Sequence, residues 1–144
     1  MNGFSITGVD HVVLRVTDVP KALAFYEEVL GCKLERHEAA IGLWQLRAGA
    51  SLFDLVDVNG VAGQRGGAGP GTDRHNLDHV ALCVRPFDDA ALRAHLARHG
   101  VAIEGSSTDN YGTGGSSPSL YFRDPAGNSV ELVTPGCWGL PSGW

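Results

Sequence analysis

A repeat constrains this chain more than any other feature. Residues 10–16 read Asp-His-Val-Val-Leu-Arg-Val and residues 78–84 read Asp-His-Val-Ala-Leu-Cys-Val, so five of seven positions agree at an offset of 68. Self-similarity at a fixed offset marks one supersecondary unit used twice. Each copy passes from an apolar β-type segment into an amphipathic helical stretch, then a glycine, then further strand-like segments. In the first copy Asp18 is placed to cap the helix. Pro20 suits its first turn, where a missing N–H does no harm. Ala22, Phe25, Tyr26, Val29 and Leu30 recur at helical spacing before Gly31. In the second copy Asp88 or Asp89 caps, Ala91, Leu92 and Leu96 form the stripe, and Gly100 stops it.

The later strands are expected over 33–38, 41–48 and 51–58 in the first copy, and over 101–104, 118–123 and 128–134 in the second. Ala48-Gly49-Ala50 and Asp124-Pro125-Ala126-Gly127 supply turns. Glycine makes up 20 of 144 residues, twice the usual ~7%. Six of them, at 60, 63, 66, 67, 69 and 71, fall between the copies and read as a linker or mobile loop. A second polar loop is expected over 105–117, and the tail from Pro135 shows no period. Two units of this length are too thin to stand as separate domains. The expected fold is therefore α+β, a single domain of two tandem βαβββ modules forming a curved sheet around a shared cleft. Module one covers about 7–58, the linker 59–76, module two about 77–134 and the tail 135–144.

The composition narrows the partners. A net charge of -5 argues against nucleic acid or an anionic membrane. No run approaches the ~20 apolar residues of a membrane span, and no secretory leader is expected at the N-terminus. Cys32, Cys83 and Cys137 are odd in number and lack metal-binding spacing, which fits reduced thiols in a cytoplasmic protein.

Strand parity then picks out the chemistry. His11, Val13 and Arg15 share one face of the first strand, opposite the apolar set Val12, Leu14 and Val16. His79, Ala81 and Cys83 share the matching face of the second copy. In Asn-Ser-Val-Glu-Leu-Val, Glu131 lies opposite Val130 and Leu132, and Asp54 takes the equivalent place in Ser-Leu-Phe-Asp-Leu-Val. The repeat thus supplies a His and a carboxylate twice. Either His alone would read as a local hydrogen-bonding residue. Two in one register, each with a carboxylate inside an apolar strand, favour a divalent metal: Zn, Ni, Co, Mn or Fe. Cys83 and Tyr111 are substrate-side candidates, set against a buried apolar thiol and a loop packing residue. His95 and His99 read as surface.

These residues carry a resemblance. The βαβββ repeat, Asp10-His11, Asp78-His79 and the run Tyr121-Phe122-Arg123-Asp124-Pro125-Ala126-Gly127-Asn128-Ser129-Val130-Glu131-Leu132 resemble the vicinal oxygen chelate superfamily, over nearly all of 7–134. That group includes glyoxalase I, fosfomycin-resistance thiol transferases, extradiol dioxygenases and bleomycin-binding proteins. The resemblance implies metal ligands at His11, His79 and Glu131, with Asp54 in the fourth place, and Glu131 or Asp54 as general base. Glyoxalase I usually has Glu where Asp54 stands, so a three-ligand site is the alternative. His11 through Asp18, with Phe25-Tyr26 and Val29-Leu30-Gly31, looks most like glyoxalase I, where the residue matching Arg15 binds a glutathione carboxylate. A surface or interface salt bridge is the plain alternative for Arg15. Val58 and His75 stand where glyoxalase I usually has Asn and Arg.

The function so implied is a metal-dependent glyoxalase-type lyase or isomerase. Its substrate would be small, with adjacent oxygens, and glutathione or another thiol is a candidate partner. The alternatives are a thiol transferase or Fe(II) extradiol-type dioxygenase, and a metal-free small-molecule or antibiotic-binding resistance protein. Superfamily habit also implies a homodimer.

Overall fold

A computed structural model describes residues 9–113 and 115–134. The chain divides into two compact units between Arg74 and His75. The first holds β1 (His11–Val16), α1 (Val19–Ala24), β2 (Lys33–Glu38), β3 (Leu43–Ala48) and β4 (Ser51–Asp57). The second holds β5 (Val80–Cys83), α2 (Asp89–Arg98), β6 (Ile103–Gly112), β7 (Gly115–Arg123) and β8 (Ser129–Val133). The sheet orders are β1-β4-β3-β2 and β5-β8-β7-β6. In each, the first strand runs parallel to the last and the other pairs are antiparallel. The two βαβββ modules expected from the repeat therefore share one topology, and the chain is α+β.

Local chemistry explains the elements. Asp18 accepts the Lys21 backbone N–H at 3.1 Å, and Asp88 accepts that of Ala91 at 3.0 Å, so both helices start on an aspartate cap. The first helix widens into a π turn over Phe25–Val29. Gly31 and Gly100 take φ +70, the left-handed conformation that ends a helix cheaply at glycine.

Parity works as expected on β1, where Leu14 and Val16 are fully buried and Val13 is exposed. Tyr26 fills the middle of the first core. It is completely buried, edge-on to Phe25 at 5.2 Å and 4.6 Å from the Phe53 ring on β4. The second core gathers Leu96, Leu120, Phe122, Val130 and Leu132. Among the described residues no helix is long and apolar enough to cross a membrane.

Two stretches differ from the sequence expectation. The polar run 105–112 is part of β6 and pairs with β7 rather than looping free. Its anchors are polar: Ser107 accepts from Arg93 on α2 at 2.8 Å and donates to Asp89. These two neighbours hold the Asp89 carboxyl below the usual range, the Ser107 hydroxyl first and Arg93 second. The glycine-rich stretch is also built. Gly63–Gly66 form a 3-10 turn, and Gly71 bridges Arg74. The expected tail from Pro135, with Cys137, lies outside the described residues.

The cysteines differ in reactivity. Cys32 is buried, and that burial pushes its thiol up; Cys83 on β5 is exposed. Thiolate is the reacting form. In a Cys137→Ser background at pH 7.5, maleimide is expected to label Cys83 promptly and Cys32 only on unfolding. Peptide mapping checks this, and equal labelling of the two would contradict the packing.

Candidate functional site

Each module builds the same half-site. Val13 on β1 stands opposite Asp54 on β4, and Ala81 on β5 stands opposite Glu131 on β8. The histidine lies two residues before that contact in both cases, His11 in one and His79 in the other, so parity sets it on the carboxylate's side of the neighbouring strand. His79 Nε2 lies 3.4 Å from Glu131 Oε2. Asp54 and Glu131 are both buried, at 2% and 4% exposure, although carboxylates avoid such places unless paired or ligating.

The preceding residue fixes each imidazole. Asp10 contacts His11 Nδ1 at 2.6 Å, and Asp78 contacts His79 Nδ1 at 2.6 Å. A carboxylate on Nδ1 leaves Nε2 as the ligating nitrogen, as in the carboxylate–histidine–metal arrangement. Both aspartates belong to the repeated Asp-His pair, and that recurrence is the sequence signal for this role.

The third strand of each module completes the half-site, and here the halves diverge. Gln45 on β3 faces Asp54 in register and donates from Nε2 to Asp54 Oδ2 at 2.9 Å. Tyr121 on β7 occupies the corresponding place opposite Glu131. The Asn110 amide, on β6, lies 3.2 Å from Glu131 Oε1, 3.2 Å from the Tyr121 hydroxyl and 2.8 Å from Ser119 Oγ. Burial first, and then the hydrogen bond to Glu131, push the Tyr121 phenol up to about 12. It is therefore a neutral donor at any physiological pH. The Tyr121 ring also meets His79 edge-on at 5.6 Å.

Asp54 Oδ1 is the one buried side-chain oxygen or nitrogen without a hydrogen-bond partner among the described residues. A carboxyl oxygen left without a partner in the interior is an expensive arrangement unless a donor or a cation meets it. Within each module an imidazole Nε2 and a buried carboxylate are donors of the kind a borderline divalent cation prefers, so each pair fits a metal in its chemistry. Among the described residues no three His, Cys, Asp or Glu stand together as a ready-made group.

The hydrogen bond from Asp10, ahead of the nearby Asp54 charge, raises the His11 pKa above 6.5. Protons therefore compete for His11 from a higher pH than at an ordinary histidine, and metal affinity should fade as the pH drops through that raised value. The Asp10–His11 pairing itself contributes to folding below the ordinary pKa and fades as the pH rises through the raised one. Were His11 and His79 to ligate a metal, Asp10→Asn and Asp78→Asn should each weaken its binding about 10- to 100-fold at pH 8. Asp10→Asn should also shift the pH midpoint of binding downward. Metal titration at several pH values measures both effects.

The remaining candidates lie apart from this pairing. Cys83 faces the same way as His79 on β5, and Tyr111, near the β6–β7 turn, is 89% exposed. Trp44 stacks on His37 at 4.5 Å and opens onto a hollow of about 550 Å³ with Asp18 and Leu23, on the side of β3 away from Gln45. Arg15 is engaged by backbone carbonyls of the glycine-rich stretch: its Nε donates to Gly63 at 3.0 Å, Nη1 to Gly66 at 3.0 Å and Ala68 at 3.2 Å, and Nη2 to Gly67 at 2.5 Å.

Residues 8–132 match the profile of the Glyoxalase/Bleomycin resistance protein/Dioxygenase superfamily. The chain belongs to that superfamily. It is 30% identical over 130 residues to "Virulence protein STM3117" of Salmonella typhimurium, covering 88% of this chain and 83% of that one. The crystal structure of that protein superposes with a TM-score of 0.73 at 26% identity, over 91% of this chain and 98% of the other. An integron cassette protein from the mobile metagenome of V. cholerae gives a TM-score of 0.70 at 30% identity, over 91% and 97%. Lactoylglutathione lyase from Agrobacterium tumefaciens gives 0.63 at 22% identity, over 94% and 98%, a likeness of fold.

Proposed function

We propose that this member is a metal-dependent lyase or isomerase of the glyoxalase type, acting on a small substrate with two neighbouring oxygens. The observation that carries the reading is the duplicated register, which sets a histidine, oriented by its own aspartate, beside a buried carboxylate in each module. His11, Asp54, His79 and Glu131 would hold the cation. When bound, a divalent ion supplies Lewis-acid polarisation of a carbonyl and stabilises negative charge on the adjacent oxygen. Glu131 would take the proton from the hydroxyl-bearing carbon beside the carbonyl and return it to the former carbonyl carbon, while the hydroxyl proton passes to the former carbonyl oxygen, so that the product is an isomer of the substrate. The Asn110 amide steadies Glu131 Oε1, and the neutral Tyr121 phenol donates to the same carboxylate. Asp54 is one methylene shorter and already held through Oδ2 by Gln45, so it suits a ligand better than a mobile base.

The short Asp54 also favours a second reading, a three-ligand site serving a thiol transferase on the same scaffold. Metal content of the purified protein, with isomerisation assays on hemithioacetals of methylglyoxal with glutathione and with smaller thiols, tests the first reading. His95 and His99 sit one helical turn apart with ring centres 4.8 Å from each other, a pair able to pick up stray metal. Metal content is therefore measured in a His95→Ala background. About one metal per chain, lost in His79→Ala together with turnover, is the expected outcome. Full metal-supported turnover in His79→Ala overturns the assignment. A homodimer is part of the proposal, and the mass in solution checks it.

A further inference from the structure

Arg15 and the glycine-rich stretch form a tight unit that the metal reading leaves unused. All three guanidinium nitrogens donate to backbone carbonyls of residues 63–68, at 2.5–3.2 Å. Such charge-assisted bonds are the stronger kind, and the fork of a guanidinium matches a fan of oxygens as an ammonium does not. The glycines permit the approach. A Cβ on Gly66 would stand 2.5 Å from Arg15 Cζ, one on Gly63 1.9 Å from the Asp57 carbonyl oxygen, and one on Gly69 2.9 Å from Thr17 Cγ2. Three glycines at 63, 66 and 69 are therefore points where backbone lies flat against the body of the module.

Arg15 also projects from the same face of β1 as His11, two pleats along. A carboxylate reaching for this guanidinium would meet donors already turned toward residues 63–68. We propose that Arg15 is a clasp that fastens the glycine-rich segment, and that this closes the position to a glutathione carboxylate, so the substrate is a small oxygenated molecule without a glutathione arm. The inference rests on the metal reading for its chemistry and narrows that reading's substrate class.

Its test uses neither metal nor turnover, so its failure is distinct from failure of the proposed function. Arg65 lies exposed within the fastened segment, and tryptic cleavage there requires local opening. In the full chain, cleavage after Arg65 is expected to run roughly tenfold faster or more in Arg15→Gln than in wild type, because local opening follows the stability of the segment. Arg15→Lys should fall between them. Gly66→Ala, which crowds the guanidinium while keeping its charge, should also speed cleavage and serves if Arg15→Gln folds poorly. Glutathione and S-methylglutathione titrated into wild type, followed by NMR, should show no saturable binding. Equal resistance of Arg65 in wild type, Arg15→Gln and Gly66→Ala overturns the clasp. Saturable binding by wild type that Arg15→Gln abolishes overturns the closure.

Discussion

Replacing Glu131 by Gln is expected to lower turnover by about 10²- to 10⁴-fold, the range for loss of a positioned general base. The amide keeps the size of the side chain and can still meet Asn110 and Tyr121, so folding should survive. Circular dichroism and the melting temperature control for that. Because Glu131 also stands among the proposed ligands, metal content and rate must be measured together. Loss of rate with metal retained marks the proton-transfer role. Loss of both marks a ligand whose removal empties the site. A variant that keeps both metal and wild-type turnover removes Glu131 from the mechanism. The matching Asp54→Asn substitution should weaken metal binding but spare the proton transfer in whatever fraction remains loaded.

The largest effect on stability is expected from Tyr26→Ala. The ring is fully buried between Phe25 and Phe53 and packs the first helix against the sheet. Removing a large aromatic from such a place costs about 3–5 kcal/mol, from lost transfer energy and the cavity left behind. Domains of this size hold roughly 5–15 kcal/mol in total, so the loss is a large share of the whole. Urea denaturation measures the loss. A penalty below about 1 kcal/mol, the level of an ordinary surface change, would contradict the packing described for this core.

Much of this was legible in the sequence because two signals agreed. The repeated Asp-His segment divided the chain, and strand parity then told inward from outward residues. That combination puts His11 and His79, and Asp54 and Glu131, at matching stations of the two copies. Other features had no comparable signal. The run from Gly105 to Gly112 carries no alternating apolar pattern, so its strand character comes from pairing with β7 and from the Asp89–Arg93–Ser107 cluster. Gln45 and Tyr121 become partners of the two carboxylates through strand register, which a sequence does not print. The bonds of Arg15 end on backbone carbonyls, which are chemically alike at every position. The glycines that admit the guanidinium were visible, but they read equally well as slack.

The parallel pairing of β1 with β4, and of β5 with β8, bears on the order of folding. Within each module the antiparallel neighbours join strands close in sequence, as Ala48 meets Ser51 across a tight turn. The parallel pair instead joins His11 to Leu52 and Val80 to Val130, separations of about forty and fifty residues. Local pairings pay less loop-closure entropy and form earlier. Each histidine therefore meets its carboxylate through the least local pairing in its module, so the half-sites assemble last. Chain that has collapsed but not finished folding would carry its hairpins without its ligand pairs. Capture of metal during refolding would then report completion of the native topology rather than drive its first steps.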